Sequence, residues 1–314
     1  MFWSTEEGKD IYPWSGDMPR HREDVLRFAV VGDNTGISRP GVFAQAMHQI
    51  NWMQPEFVVS IGDLIEGFSH DPAHIHQEWD VIDAAVSSVQ APFFFIPGNH
   101  DLSTDEGLEV WRKRKGAPYY AFEYKEALFL CLSSEDPPVA PSPELEECMQ
   151  QILHTKQTDQ SLAEKLGAAL HRKVLGEDPE RTDMPTIAKA RLSDQQVDFF
   201  TRVIKEHTAV RWTFVFMHKP GWGPDDGNFI RIENLLADRS YTMIAGHLHR
   251  YDYQRRLGRD YITVGTTGGL ALNGSSREQV DHILWITLAE GQPQIANIRL
   301  NGLLDKTGQN GQLS

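Results

Sequence analysis

Apolar residues fall in blocks along this chain. Runs of about four to eight residues rich in Val, Ile, Phe, Tyr and Thr each stop at Gly, Pro, Asp or Asn, as buried strands do where they pass into loops. They read LRFAVVGD, EFVVSIGD, PFFFIPGNHD, ALFLCLSSED, RWTFVFMHKP, YTMIAGHLH, DYITVGTTGG and HILWITLAE. Between the first three the period lengthens. In DPAHIHQEWDVIDAAVSSVQ, Asp71 stands as an N-cap and Pro72 at the first helical position. Ile75, Trp79, Ile82, Val86 and Val89 then recur at three and four residues, giving one apolar face. Strand and helix in alternation predict an α/β domain on a largely parallel core.

From about residue 137 to 185 strand runs are absent and the composition turns charged and helix-favouring, as in PSPELEECMQQILHTKQTDQSLAEKLGAALHRKV. This reads as a helical insertion, because the strand pattern resumes after it. Its acidic ELEE is expected to be a solvated first helical turn. A single domain is expected over residues 1–314, with a core at about 27–300 and a disordered tail at about 305–314. No internal repeat is present in the sequence.

Composition narrows the picture. The formal net charge of −14 argues against a large nucleic-acid footprint, which needs clustered Lys and Arg, and makes a phosphate substrate puzzling unless cations gather in the site. No stretch has the roughly 18 uncharged apolar residues of a membrane helix. The start, MFWSTEEGKDIYPW, does not read as a signal peptide. A secreted chain with its leader removed would look the same, so the compartment is open. Cys131 and Cys148 are too few for a disulfide framework, and Cys131, inside ALFLCLSS, reads as a buried free thiol.

The chemistry lies where the runs stop. VVGDNTG ends in Asp33, SIGDLIEG supplies Asp63 and Glu66, and IPGNHD supplies Asn99, His100 and Asp101. FMHKP gives His218, and AGHLH gives His247 and His249. In open α/β sheets, groups beyond the carboxyl ends of the strands can converge on one crevice. Carboxylates, imidazoles and an amide oxygen are what borderline or hard divalent cations bind.

This ordered set resembles the calcineurin-like metallophosphoesterase superfamily, which includes the purple acid phosphatases, from about Arg27 to Gly269 with the insertion outside the resemblance. The resemblance implies a four-layer αββα sandwich of two mixed sheets, and two metal ions about 3.5–4 Å apart. Asp63 would bridge them, Asp33 and His249 would bind the first, and Asn99, His218 and His247 the second. His100 would assist the leaving group, oriented by Asp101.

One position departs from the family's first motif, Asp-any-His, because Thr35 stands where its histidine would be. Purple acid phosphatases lack that histidine too and use a tyrosine three residues after the bridging Asp. That position here is Glu66, whose carboxylate is expected to close the first metal's shell and to favour Mn, Mg or Fe over Zn. His70 and His74 could pair on a metal only if the helix began before Asp71, and His74 and His76 flank Ile75 on the expected solvated side. None of the three is expected to be a ligand. His21, His48, His154, His171, His207 and His282 are read as residues without chemistry, and Trp222, Asp225, Asp226 and Asn228 as bordering the substrate mouth.

Two metal ions would resolve the charge puzzle. The resemblance then implies hydrolysis of a small phosphorylated substrate, a mono- or diester, by metal-bound hydroxide. The rival is a phosphoesterase-like binding or scaffold protein whose first metal site has decayed, as Thr35 would suggest. Oligomeric state is left open.

Overall fold

The computed structural model describes residues 24–175, 188–223, 227–272, 280–305 and 307, so nearly all of the expected tail lies outside the described residues. Two mixed sheets face each other. The first has the order β11–β10–β1–β2–β3, from β1 (Leu26–Val31), β2 (Phe57–Ser60), β3 (Phe93–Phe94), β10 (His282–Leu288) and β11 (Gln294–Arg299). Within it β1, β2 and β3 run parallel, and β10 and β11 join antiparallel. The second has the order β4–β5–β6–β7–β9–β8, from β4 (Tyr120–Tyr124), β5 (Ala127–Cys131), β6 (Trp212–Phe216), β7 (Tyr241–Ala245), β8 (Asp252–Arg256) and β9 (Arg259–Thr263). Its centre, β5–β6–β7–β9, is parallel, and both edges are antiparallel.

Strand alternation sorts the apolar residues into layers. Leu26, Phe28 and Val30 of β1 face Phe129, Phe214 and Phe216 across the gap between the sheets. Phe28 stacks on Phe57 at 5.0 Å and meets Phe214 edge-on at 5.0 Å, geometries that aromatic quadrupoles favour. Ala29 and Val31, one residue out of phase, face the opposite side. There they meet α1 (Val42–Met53), α2 (Pro72–Ser87) and α3 (Asp105–Arg114). The outer face of the second sheet packs on α6 (Asp194–Glu206) and α7 (Gly227–Leu235). The order of layers is therefore helices, sheet, sheet, helices.

Each expected run contributes a strand, and α2 begins as its sequence predicts, with the Asp71 carboxylate accepting from the Ala73 amide at 2.9 Å. Cys131 lies between the sheets, where burial pushes its thiol up to about 12. Two further helices, α4 (Pro143–Lys156) and α5 (Gln160–Val174), occupy the charged segment. Ile152 of α4 and Ala163 and Ala168 of α5 make a separate small core with Ile37, Leu270 and Leu272. The insertion therefore sits on the loop that follows β1. No helix among the described residues is long and apolar enough to cross a membrane.

Candidate metal centre

The two sheets bring the carboxyl ends of their parallel strands to one place. Asp33 follows β1, Asp63 follows β2, and Asn99 and His100 follow β3. His218 follows β6, and His247 and His249 follow β7. Two backbones must nearly touch for Asp63 and Asn99 to meet. Gly62, at φ 97°, and Gly98 allow this, since a Cβ on Gly98 would lie 2.1 Å from Asp63 Oδ1.

Three of the donor residues carry left-handed backbone, with φ of 54° at Asp63, 70° at His247 and 51° at His249. Each such conformation costs roughly 1–3 kcal/mol and persists only where surrounding contacts enforce it. The enforcing contacts are visible. The Asp63 amide donates to Asp101 Oδ2 at 2.8 Å, and the His247 amide donates to Asp33 Oδ2 at 3.1 Å.

Around His218 Nε2 lie Asp63 Oδ2 at 3.1 Å, Asn99 Oδ1 at 3.2 Å and His247 Nδ1 at 3.2 Å. Donor atoms of Asp63, His218 and His247 all lie within 4.8 Å of one another, and all three residues are buried. Two facing imidazole nitrogens cannot both carry a proton, so at least one presents a lone pair. A short step away, His249 Nε2 lies 3.1 Å from Asp33 Oδ2. Backbone carbonyls fix the tautomers, with His218 Nδ1 donating to Ile61 at 2.9 Å and His249 Nδ1 to Leu270 at 3.0 Å, as is usual for metal-ligating imidazoles.

Burial opposes ionisation of Asp63, but His218 and His100 hold its carboxyl well below the usual range. Burial also works against a charge on His218, and Asp63 outweighs it, raising the imidazole to about 9. His247 is driven well below its ordinary value by burial and by His218 and Lys219. The carboxylate thus draws positive charge to His218 Nε2, a place that a metal ion would fill in the proton's stead, while His247 is held neutral. The mixed oxygen and nitrogen donors, lone pairs turned inward and His247 Nε2 buried without a hydrogen-bond partner suit a site for divalent ions.

Two expectations need correcting. Glu66 is not among the converging donors. Its Oε2 accepts from the amides of Gly36 and Ile37, each at 3.1 Å, and its Oε1 from Ser38 at 2.6 Å and from Lys156 Nζ at 2.9 Å. Both oxygens are occupied, and Lys156 already supplies the countercharge. Glu66 therefore fastens the loop after Asp33 to the end of α4. Asp101 does not orient His100 either. Its carboxylate accepts from four buried amides, those of Asp63, Leu64, Ile65 and Gly98. His100 is oriented by its Nδ1, which donates to the Glu66 carbonyl at 2.8 Å, and by Phe68, edge-on at 5.0 Å.

The expected mouth also differs. Trp222 packs edge-on against Tyr261 at 5.2 Å, the Asn228 amide donates to the Leu192 carbonyl, and Asp225 and Asp226 lie outside the described residues. The cavity over the donors, about 620 Å³ including its open mouth, is instead walled by the insertion, through Leu145 and Met149 of α4 and Leu170, His171 and Val174 of α5. His171, expected to be a surface or core residue without chemistry, lines this cavity. It packs on His249 with ring centres 4.7 Å apart. Away from the cavity, His70 bridges Glu106 and Glu146 at 2.9 Å each, and His74 and His76 lie beside Glu78 and Arg114.

Known structures show the same fold at low sequence identity. A dimetal phosphatase from Danio rerio matches with a TM-score of 0.56 and 16% identity, over 87% of this chain and 96% of that one. A purple acid phosphatase from yellow lupin (Lupinus luteus) seeds matches with a TM-score of 0.53 and 13% identity, over 88% of this chain and 51% of that one. None of the curated proteins matches the chain. The family model described as calcineurin-like phosphoesterase matches residues 26–251, well over half of the chain and all of the strand ends just described, and the chain belongs to that family.

Proposed function

We propose that the protein hydrolyses a phosphate mono- or diester at a dinuclear metal centre. The observation that carries this reading is the convergence of Asp63, Asn99 and His247 about His218 Nε2, at 3.1–3.2 Å, beneath a cavity lined by Asp63, Asn99, His100 and His247. Asn99, His218 and His247 would hold one ion, Asp33 and His249 the other, and Asp63 would reach both. When bound, the two ions supply positive field for the phosphoryl oxygens and activate the attacking water.

The chain's own residues provide the rest. His100 donates a hydrogen bond from Nδ1 to the Glu66 carbonyl, so Nε2, 4.0 Å from Asp63 Oδ2, is the atom free to meet a leaving oxygen. A proton carried on Nε2 would neutralise the charge developing there. No Lys or Arg lines the cavity among the described residues, while Phe68, Met149, Leu170, Val174 and Leu270 do. Such walls favour an ester whose organic group is apolar over a polyphosphate or nucleotide, which would look for cationic partners.

His100→Ala tests the assignment. It should lower kcat by about 10²–10⁴ for esters of poor leaving groups and by less for nitrophenyl esters, which need little proton donation. Bound metal should stay unchanged. Equal losses for both kinds of ester, or loss of metal, would rule this role out.

A further inference from the structure

The Asp33–His249 pair is a poor metal site alone, since a carboxylate and one imidazole give few donors even with Asp63 shared. Thr35, two residues after Asp33, is buried, and its hydroxyl has no hydrogen-bond partner. A group that lines the cavity lacks one too. His171 Nε2 is buried and has no hydrogen-bond partner. A buried nitrogen left unpaired costs about 1–3 kcal/mol, so a ring serving only to pack would be better replaced by Phe or Leu. The centre of the His171 ring lies 4.7 Å from that of His249 and 6.4 Å from that of His247, two of the side chains assigned above to the metal ions.

Helix α5 is built to deliver this ring. Ala163, Gly167, Leu170, His171 and Val174 recur at three and four residues and form its inward face. Gly167, one turn before His171, lets the helix settle on the Asp33 loop, since a Cβ there would lie 2.8 Å from Ile37 Cγ1. The insertion is tied down beside it by Lys156 to Glu66 and Ser38, and by Glu146 to His70.

Resting on the dinuclear reading above, we propose that His171 is a ligand of the first metal ion, joining Asp33 and His249 through Nε2. The insertion is then part of the metal centre as well as a wall of the cavity. The ion's affinity then depends on the docked helix.

The test measures metal, not turnover. Metal-stripped wild-type and His171→Ala proteins are titrated with Mn²⁺ and with Co²⁺, and bound ions per chain are counted. His171→Ala should weaken one of two ions by more than about 100-fold, beyond the roughly 10–100-fold that loss of an outer-shell partner costs, and leave the other unchanged. Alanine suits a helix, so circular dichroism and melting of the metal-free variant should match wild type. In wild type loaded with Co²⁺, the ring protons of His171 should be shifted by the paramagnetic ion and be the signals that the variant lacks. Two ions held by His171→Ala at unchanged affinity, or unshifted His171 protons in the loaded wild type, would overturn the proposal while leaving the dinuclear reading standing. A wild type that binds no more than one ion would overturn both.

Discussion

Asp63→Asn is expected to reduce phosphoesterase turnover to background, a loss of at least about 10⁴-fold, beyond the roughly 10²–10⁴ that removing a general acid costs. Asp63 is where the separate parts of the site meet. Its Oδ2 lies 3.1 Å from His218 Nε2, and its Oδ1 accepts the His100 amide at 2.8 Å. Asparagine keeps the size and one oxygen but removes the charge and turns two N–H groups toward donors that need an acceptor. One oxygen can still receive the His100 amide, so the fold should persist while metal is lost at both positions. Metal content and turnover, measured on the same sample, check this. Near-wild-type turnover with two ions would show that the β2 carboxylate does not join the two sites.

The largest effect on stability is expected from Asp101→Ala, about 3–5 kcal/mol, comparable to breaking a buried charged network. One carboxylate, itself fully buried, caps four amides at 2.8, 3.0, 3.3 and 2.9 Å, three of them in the turn that holds Asp63 in its left-handed conformation. Each amide left unpaired costs about 1–3 kcal/mol, and water entering the space left by the side chain would recover part of the sum. The expected fall in melting temperature is on the order of 10 °C for a chain of this size. Asp101→Asn should fall between, because its single oxygen can satisfy only one side of the turn. Thermal melts of the metal-free proteins give the comparison, and a shift under about 2 °C for Asp101→Ala would mean that the turn is held by something else. The same variant should bind metal less well, as strain at Asp63 is no longer enforced.

The central strands were legible because they are buried on both faces and so are written as unbroken apolar runs. The three strands that were not legible, β4, β8 and β11, are all at sheet edges, where YAFEY, DYQRR and QIANIR meet solvent and carry polar residues. The converging side chains were legible for a related reason. Asp33, Asp63, Asn99, His218 and His247 each stand within three residues of an apolar run, so their place at a strand end could be read locally. Glu66 shows the limit of that reading. Its position three residues after Asp63 suggested a ligand, but what occupies its oxygens are amides from residues 36–38 and a lysine ninety residues on, brought together only by the fold. His171 is the converse. Nothing in AALHRKV separates it from a solvated helical histidine, and only the docking of α5 on Ile37 and Leu270 turns its face toward the site.

Metal-dependent ester hydrolysis at the Asp63 centre is tested most directly by turnover of reconstituted protein. The protein is stripped with a chelator, reloaded separately with Mn²⁺, Fe, Zn²⁺ or Mg²⁺, and assayed on para-nitrophenyl phosphate and on its bis-ester with bound metal counted in parallel. The expected result is no turnover when stripped, and turnover of at least one ester when about two ions per chain are restored. A chain that holds two ions yet turns over neither ester with any of these metals would contradict the account and leave a metal-binding protein without this chemistry.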